Sequence, residues 1–484
     1  MFKNHVLRFI DYKNQNKLII RDEEDINRKS HYLDALSAYG FKVVYYTDDL
    51  SFRIDYEDDF KDDTKRMAII DTNDSYIPFD ILRKARCVHL SIDILFSRLN
   101  SLAIKESEID YDLLAFVYDN SYISNCDYLE TKSFINNVVL SKEMISKYIK
   151  LLSNQIQGNA CSDNYKYWFD LARLKARIKK YTLKYGLSIP QDSADERFKE
   201  YLLKDYGKLS SIVVEDTPIL VSKAMDFIIE RSKKYALIVM DGMSVFDWYI
   251  LSSTFSNLNY SETNAFAMIP TVTSISRQCL LSNKYPVQLI NPWSQSKEKQ
   301  EFVEYARSAG YSDYQISYQR GYDVELNPNI ECLAIIINDI DDIVHGQQQG
   351  LEGMYNDISL MAKQEKLAEL SRKLLKTGFD VYISADHGNT SSIGIGNFKT
   401  GVEMETKSKR MLVLKNIADK ESLLNKYPLI EYPKYYLDKQ YDYLICDNGI
   451  SFDNRGEEVM THGGISIEEV IVPFIMLKSE DNNG

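Results

Sequence analysis

The segment FDVYISADHGNT, residues 379–390, runs as an apolar alternation and then sets Asp386 and His387 side by side before Gly388. Two other apolar runs end alike. YALIVM leads into Asp241-Gly242-Met243-Ser244, and CLAIIIN leads into Asp339, Asp341 and Asp342, followed by His345. A further histidine, His462, precedes Gly463 and Gly464 in VMTHGGISIEEVIVPF. Carboxylates and imidazoles gathered at one place are what borderline divalent cations such as zinc or manganese take as ligands. Asp341 and His345 are four residues apart, a spacing that brings both to one ion on a helical turn. Asp386 and His387 are adjacent and reach one ion only where the backbone bends, which Gly388 allows. Singly, each motif also describes a turn or a helix cap. Their repetition after apolar runs, in one half of the chain, points to a shared metal site.

A nucleophile is supplied by MIPTVTSISRQCLL, where Thr271, Thr273, Ser274 and Ser276 crowd a segment that then turns helical, with Arg277 in reach of the same place. A hydroxyl at a helix N-terminus and against a dication gives up its proton more readily, and the helix amides can hold an anion. The plainer reading of the same residues is a cluster of helix caps.

The elements that must position these residues alternate. From residue 231 onward, strand and helix patterns succeed one another, which predicts right-handed crossovers and a mainly parallel sheet, with ligands beyond the carboxyl ends of the strands. Residues 1–125 read as a small α/β domain of Rossmann or receiver type: KLIIRD, FKVVYYTDD and MAIIDT are strand-like, and NRKSHYLDALSAYG has helical spacing. Its acids, Asp22, Glu23, Glu24 and the run DYEDDFKDD, suit a solvated face more than a metal or phosphoacceptor pocket. Residues 126–230 read as a helical linker domain. There LARLKARIKKYTLK places Arg173, Arg177, Lys180 and Lys184 along one stripe, either a solvated face or a polyanion contact. The division expected is thus 1–125, 126–230 and 231–484.

The 484 residues suffice for two to four domains with real cores. The balance of 58 basic and 71 acidic residues gives −13, a field that repels nucleic acid unless a basic patch or bound cations offset it. The six cysteines, Cys87, Cys126, Cys161, Cys279, Cys332 and Cys446, form no CxxC pair and read as isolated thiols. With no long apolar run and no signal-peptide cleavage pattern, a cytoplasmic protein without membrane contact is expected.

Taken in order, Asp-Gly-Met-Ser (241–244), Pro-Thr-Val-Thr-Ser-Ile-Ser-Arg (270–277), Asp-Xaa3-His (341–345), Asp-His-Gly (386–388) and Thr-His-Gly-Gly (461–464) resemble the alkaline phosphatase superfamily. Within it, PTVTSISR and THGGISIEEVIVP look like the PglZ domain of BREX-type bacterial phage-defence systems. The resemblance covers roughly residues 231–478. It implies an alkaline-phosphatase-like catalytic domain with two divalent ions, zinc or alternatively manganese or magnesium. One ion would be held by Asp241, Asp386, His387 and the nucleophilic hydroxyl, the other by Asp341, His345 and His462, with Asp339 and Asp342 competing for the place of Asp341. The nucleophile it implies is Thr273, with Thr271 as the alternative. The phosphodiesterase branch follows its threonine with an aromatic-Pro-Asn-His turn, which here reads Ser-Ile-Ser-Arg. The phosphate-binding Asn and His of that turn are therefore missing, and Arg277 or Ser276 would replace them. The activity implied is a metal-dependent phosphodiesterase or nuclease-like hydrolase acting on nucleotides or oligonucleotides, with defence-system proteins as partners. The alternatives are a phosphomonoesterase or phosphotransferase on the same core, and a non-catalytic defence-complex subunit with a structural metal site.

Overall fold

The computed structural model describes residues 1–157, 164–397, 408–415 and 420–479. The chain separates into two compact units, Met1–Leu151 and Leu152–Gly484. The helical stretch expected at 126–230 is shared between them, and the helix Lys142–Gln157 runs across the division.

The first unit is built on strands β1 (Lys17–Arg21), β2 (Phe41–Tyr45), β3 (Arg66–Asp71) and β4 (Arg86–His89), all parallel. Their order is β2-β3-β1-β4. This differs from the 3-2-1-4 of a Rossmann half and the 2-1-3-4 of a receiver, so the expected α/β class is present in another topology. Spacing and propensity fix strand type but not strand order, which depends on how the crossovers pack. The acids that follow its strands serve the backbone. Asp22 accepts from the amides of Ile26 and Asn27 and from the Tyr32 hydroxyl, and Asp71 accepts from the amides of Asn73 and Ser75.

In the second unit, β5 (Tyr235–Met240), β6 (Ser261–Phe266), β7 (Ile316–Arg320), β8 (Cys332–Ile337) and β9 (Asp380–Ser384) run one way, and a closing strand, Ile471–Leu477, runs the other. The closing strand lies between β6 and β9 in a six-stranded sheet whose other neighbours follow as β5, β8 and β7. Every residue of β5, β8 and β9 is buried, as parallel strands covered on both faces require. Register then fixes the site. Met240 pairs with Ile337 and Val239 with Ser384, so Asp241 and Asp386 leave the sheet level with each other, beside the turn after β8. Because the closing strand is antiparallel to β9, its start lies at the same edge, and His462 arrives there just ahead of it.

Of the cysteines, Cys279, Cys332 and Cys446 are buried free thiols, Cys126 is half-buried and Cys87 is exposed, while Cys161 lies outside the described residues. The helix Tyr165–Lys184 lays three residues of its basic stripe on the fold itself, while Lys184 is exposed. Arg173 donates to the Glu262 carbonyl at 3.2 Å, and the cations of Arg177 and Lys180 lie over the Tyr249 ring, 5.8 and 4.6 Å from its centroid. No helix among the described residues is long and apolar enough to cross a membrane.

Candidate metal and nucleophile site

Thr273 opens the helix Thr273–Ser282, which starts directly under the sheet edge. Its Oγ1 lies 3.0 Å from His387 Nε2 and 3.5 Å from Asp241 Oδ1. Around it are two groups of ligand atoms, each drawn together within 4.8 Å: Asp241, Asp386 and His387, and Asp341, His387 and His462. The rings of His387 and His462 stack at 4.1 Å.

The helix Asp339–Gly346 puts Asp341 and His345 one turn apart, as their spacing predicts, with His345 Nε2 at 3.4 Å from Asp341 Oδ2. His345 is 61% exposed and sits on the rim, so the compact second group contains His387 where the family resemblance placed His345. Asp342 is exposed and Asp339 faces Tyr322, so Asp341 is the acid of that run that reaches the histidines.

Within the ligand groups, the buried oxygens Asp386 Oδ2 and Asp341 Oδ1 have no hydrogen-bond partner; outside them, the same holds for Asp247 Oδ1 and Asp49 Oδ1. An anionic oxygen removed from water and left without a donor is costly, and a cation within each ligand group would satisfy it. The electrostatics agree. Burial, and then the neighbouring charge of Asp241, push Asp386 well above the usual carboxylate range. Burial would also raise Asp341, but the hydrogen bond from His345 and the other two histidines outweigh it and hold Asp341 below that range. Burial, followed by His387, brings His462 down to about 4, the neutral form that a metal ligand needs. The donor set therefore fits divalent cations.

The other expected residues have turned inward. Arg277 has no exposed side-chain surface: Nε donates to Glu298 Oε2 at 2.7 Å, and Nη1 is bonded to Asp241 and lies 3.9 Å from Asp386. Glu298 in turn accepts from Arg320 and Tyr318. Ser276 is buried, donating to the Asp386 carbonyl and accepting from the Met268 amide. Both side chains thus hold the ligand loops instead of facing the space in front of Thr273. Thr271 also has a structural partner. Its hydroxyl donates to the Gly464 carbonyl at 2.9 Å and accepts from the Gly463 amide at 3.1 Å, and its own carbonyl is 2.9 Å from His462 Nδ1.

Glycines mark where backbones meet. A Cβ on Gly388 would overlap the Glu468 carbonyl oxygen, and Gly388 is absent from the positive-φ residues, so close approach rather than a bend explains this glycine. A Cβ on Gly464 would fall 2.5 Å from Arg410 Nε. Arg410 and Glu469, both fully buried, pair at 2.9 Å, and Glu469 accepts the Gly464 amide at 2.8 Å. Glu298, Arg410 and Glu469 were not singled out from the sequence. The ion pairs Arg277–Glu298 and Arg410–Glu469 span 21 and 59 residues, and no local pattern marks such pairs.

A family model for the BREX system PglZ alkaline phosphatase-like domain matches residues 220–477. The chain belongs to the PglZ family. Its PglZ domain carries all the ligand residues described above. No curated protein matches the chain. Solved structures similar to it include the murine ectonucleotide pyrophosphatase/phosphodiesterase 5, at 14% identity and TM-score 0.37, covering 50% of this chain and 88% of that one. The human counterpart has 16% identity and TM-score 0.35, covering 50% and 87%. A phosphonoacetate hydrolase from Sinorhizobium meliloti has 8% identity and TM-score 0.30, covering 52% and 92%.

Two outcomes follow for this PglZ domain. Arg277→Met leaves Asp241 and Glu298 buried without their shared cation and should cost about 3–5 kcal/mol in urea unfolding of the metal-free protein; an Arg277 that merely faced substrate would leave stability unchanged. Gly388→Ala should destabilise by about 1–3 kcal/mol through its overlap with a backbone carbonyl that cannot swing aside.

Proposed function

We propose that the PglZ domain is a metal-dependent phosphodiesterase acting on nucleotides or oligonucleotides in BREX-type phage defence, working in the cytoplasm with other proteins of that system. The observation that carries this reading is Thr273 Oγ1, at the start of a helix, lying 3.0 Å from His387 Nε2, the imidazole common to both carboxylate–imidazole groups. Asp241, Asp386 and His387 would hold one divalent cation, with zinc favoured by the nitrogen and carboxylate donors and manganese or magnesium as alternatives. Asp341 and His462 would hold a second, with His345 closing from the rim. Such cations, when bound, supply Lewis acidity toward phosphoryl oxygens and lower the pKa of an adjacent hydroxyl.

The chain's own residues do the rest. Thr273 Oγ1 is the attacking oxygen, and the amide end of its helix faces the anionic group being attacked. Thr271 keeps the His462 loop against that helix, and Arg277, paired with Asp241, keeps that carboxylate aimed. Because Arg277 is committed to Asp241 and Glu298, it adds no charge for a dianionic phosphate, which favours the singly charged diester over a monoester.

Comparing bis-nitrophenyl phosphate with nitrophenyl phosphate on the metal-loaded protein tests the choice. Faster diester turnover is expected, a faster monoester reaction would move the assignment to a phosphomonoesterase, and bound metal with neither reaction would make the site a structural clamp. Asp386→Ala and His387→Ala should each lose metal in elemental analysis and drop diester hydrolysis by orders of magnitude, because a two-ligand remnant binds poorly. Thr273→Ala should keep the Asp341–His462 ion and lose turnover. Thr271→Val should lower metal content while leaving the chemistry of the loaded fraction, and the reverse pattern would make Thr271 the nucleophile.

A further inference from the structure

The loops that carry Asp241, Asp341 and Asp386 meet at Gly242. Its φ is +75°, and a Cβ there would lie 3.5 Å from the Cα, Cβ and Oδ1 of Asp341. Both polar groups of this residue are gripped by the loop after β9: the amide donates to Asp386 Oδ1 at 3.2 Å, and the carbonyl accepts from Asn389 Nδ2 at 2.9 Å. The same Asn389 nitrogen donates to Asp247 Oδ2 at 2.6 Å. Asp247 is fully buried on the helix Val245–Leu251, and its Oδ2 also accepts from the Ser244 amide and hydroxyl at 2.8 and 2.7 Å.

Asp247 belongs to neither ligand group, yet burying a carboxylate is expensive. The carboxylate closes a capping box with Ser244, accepting the Ser244 amide while Ser244 Oγ accepts the Asp247 amide, and beyond that cap it also takes the Asn389 donor. What the carboxylate adds is a strong acceptor that takes one proton of the Asn389 amide and thereby turns the nitrogen, rather than the oxygen, toward Gly242. With the oxygen facing Gly242, two acceptors would oppose each other and the loops would part.

We propose that Asn389, oriented by Asp247, is a positioning residue that sets the distance between Asp241 and Asp386 and so the affinity for the cation these two acids share. The proposal rests on the metal-binding reading of the site. Asp241 and Asp386 repel each other, and Asn389 supplies a neutral link between their loops that persists when no cation draws them together.

The test is titration of the metal-free full chain with Zn2+ or Co2+ against a chelator of known affinity, with melting in excess chelator measured in parallel. Asn389→Ala should bind the cation about 10–100-fold more weakly than wild type, and should lower the metal-free melting temperature by the few degrees that two lost buried hydrogen bonds imply. Asp247→Ala should reproduce the loss, and the double variant should be no worse than the weaker single, since both act through one hydrogen bond. Asp247→Asn keeps an oxygen acceptor and should restore most of the affinity. If Asn389→Ala does not fold, Asn389→Asp carries the same expectation, because it is nearly isosteric but has no donor for Gly242 and meets Asp247 with like charge. Wild-type affinity in a folded Asn389 variant overturns the proposal, as does a lower metal-free melting temperature with unchanged affinity. A wild type that takes up no cation overturns both this proposal and the metal reading, and that result is recognisable because it appears without any substitution.

Discussion

Two buried carboxylates, Asp241 and Asp386, are delivered to one spot by the register of two parallel strands, and their mutual repulsion is the constraint around which the site is arranged. In a medium of low dielectric such a pair cannot both stay ionised unsupported. The fold supplies part of the support. The amides of Gly242 and His387 donate to Asp386 Oδ1, and the Arg277 guanidinium is bonded to Asp241. The support is incomplete, because Arg277 is shared with a third buried acid, Glu298, and Asp386 Oδ2 has no hydrogen bond, only Arg277 and His387 at 3.9 Å. One guanidinium and the half-exposed Arg320 on Glu298 do not neutralise three carboxylates, and Asp386, by burial and by the charge of Asp241, is accordingly held well above the usual carboxylate range, a place where a cation would stand in for a proton. That shortfall gives the site its demand for a cation.

The same economy governs the neighbouring segments. The glycines of the motifs have two causes: Gly388 lies against the Glu468 carbonyl and Gly464 against Arg410, where a Cβ would overlap, while Gly242 and Gly463 take positive φ. The hydroxyls divide between two tasks. Thr271 and Ser276 are spent on backbone carbonyls and amides, which fixes the loops of His462 and Asp386, whereas Thr273 faces ligand atoms. Two threonines two residues apart thus do different work because the helix begins between them. Thr271 lies in the extended approach, against the Gly463-Gly464 turn, and Thr273 is on the first turn, with its hydroxyl toward His387 and Asp241.

Much of this was legible in the sequence, and what was legible had a local cause. Apolar runs ending in acid or imidazole marked the carboxyl edge of a parallel sheet, and the four-residue spacing of Asp341 and His345 marked a helical turn. Contacts made across long sequence separations left no comparable trace. Nothing near Arg277 shows that Glu298 will neutralise it, so the residue read as a substrate contact, and nothing near Arg173, Arg177 and Lys180 shows that Glu262 and Tyr249 will cover their stripe. The order of the first unit's strands was hidden for the same reason. The exchange of His387 for His345 in the second compact group has a different origin. His387 stacks on His462 and so lies between both carboxylate groups, a relation that adjacency to Asp386 cannot reveal.

Charge links these parts to the chemistry. The chain carries −13, and the positive groups nearest its ligand loops in the hydrogen-bond network, Arg277 and Arg410, are fully buried in ion pairs. Under the proposed function, attraction for a phosphate would have to come chiefly from cations held by the ligand groups, since the protein's own field opposes it. On the reading proposed here, metal affinity and substrate affinity are therefore one quantity seen twice. A residue that lets Asp241 and Asp386 drift apart weakens the hold on the cation first and on the substrate through it. This coupling explains why so much buried polar structure, from Glu298 through Arg277 to Asn389 and Asp247, is spent on side chains that never face the space in front of Thr273. Their work is to hold like charges together until an ion arrives.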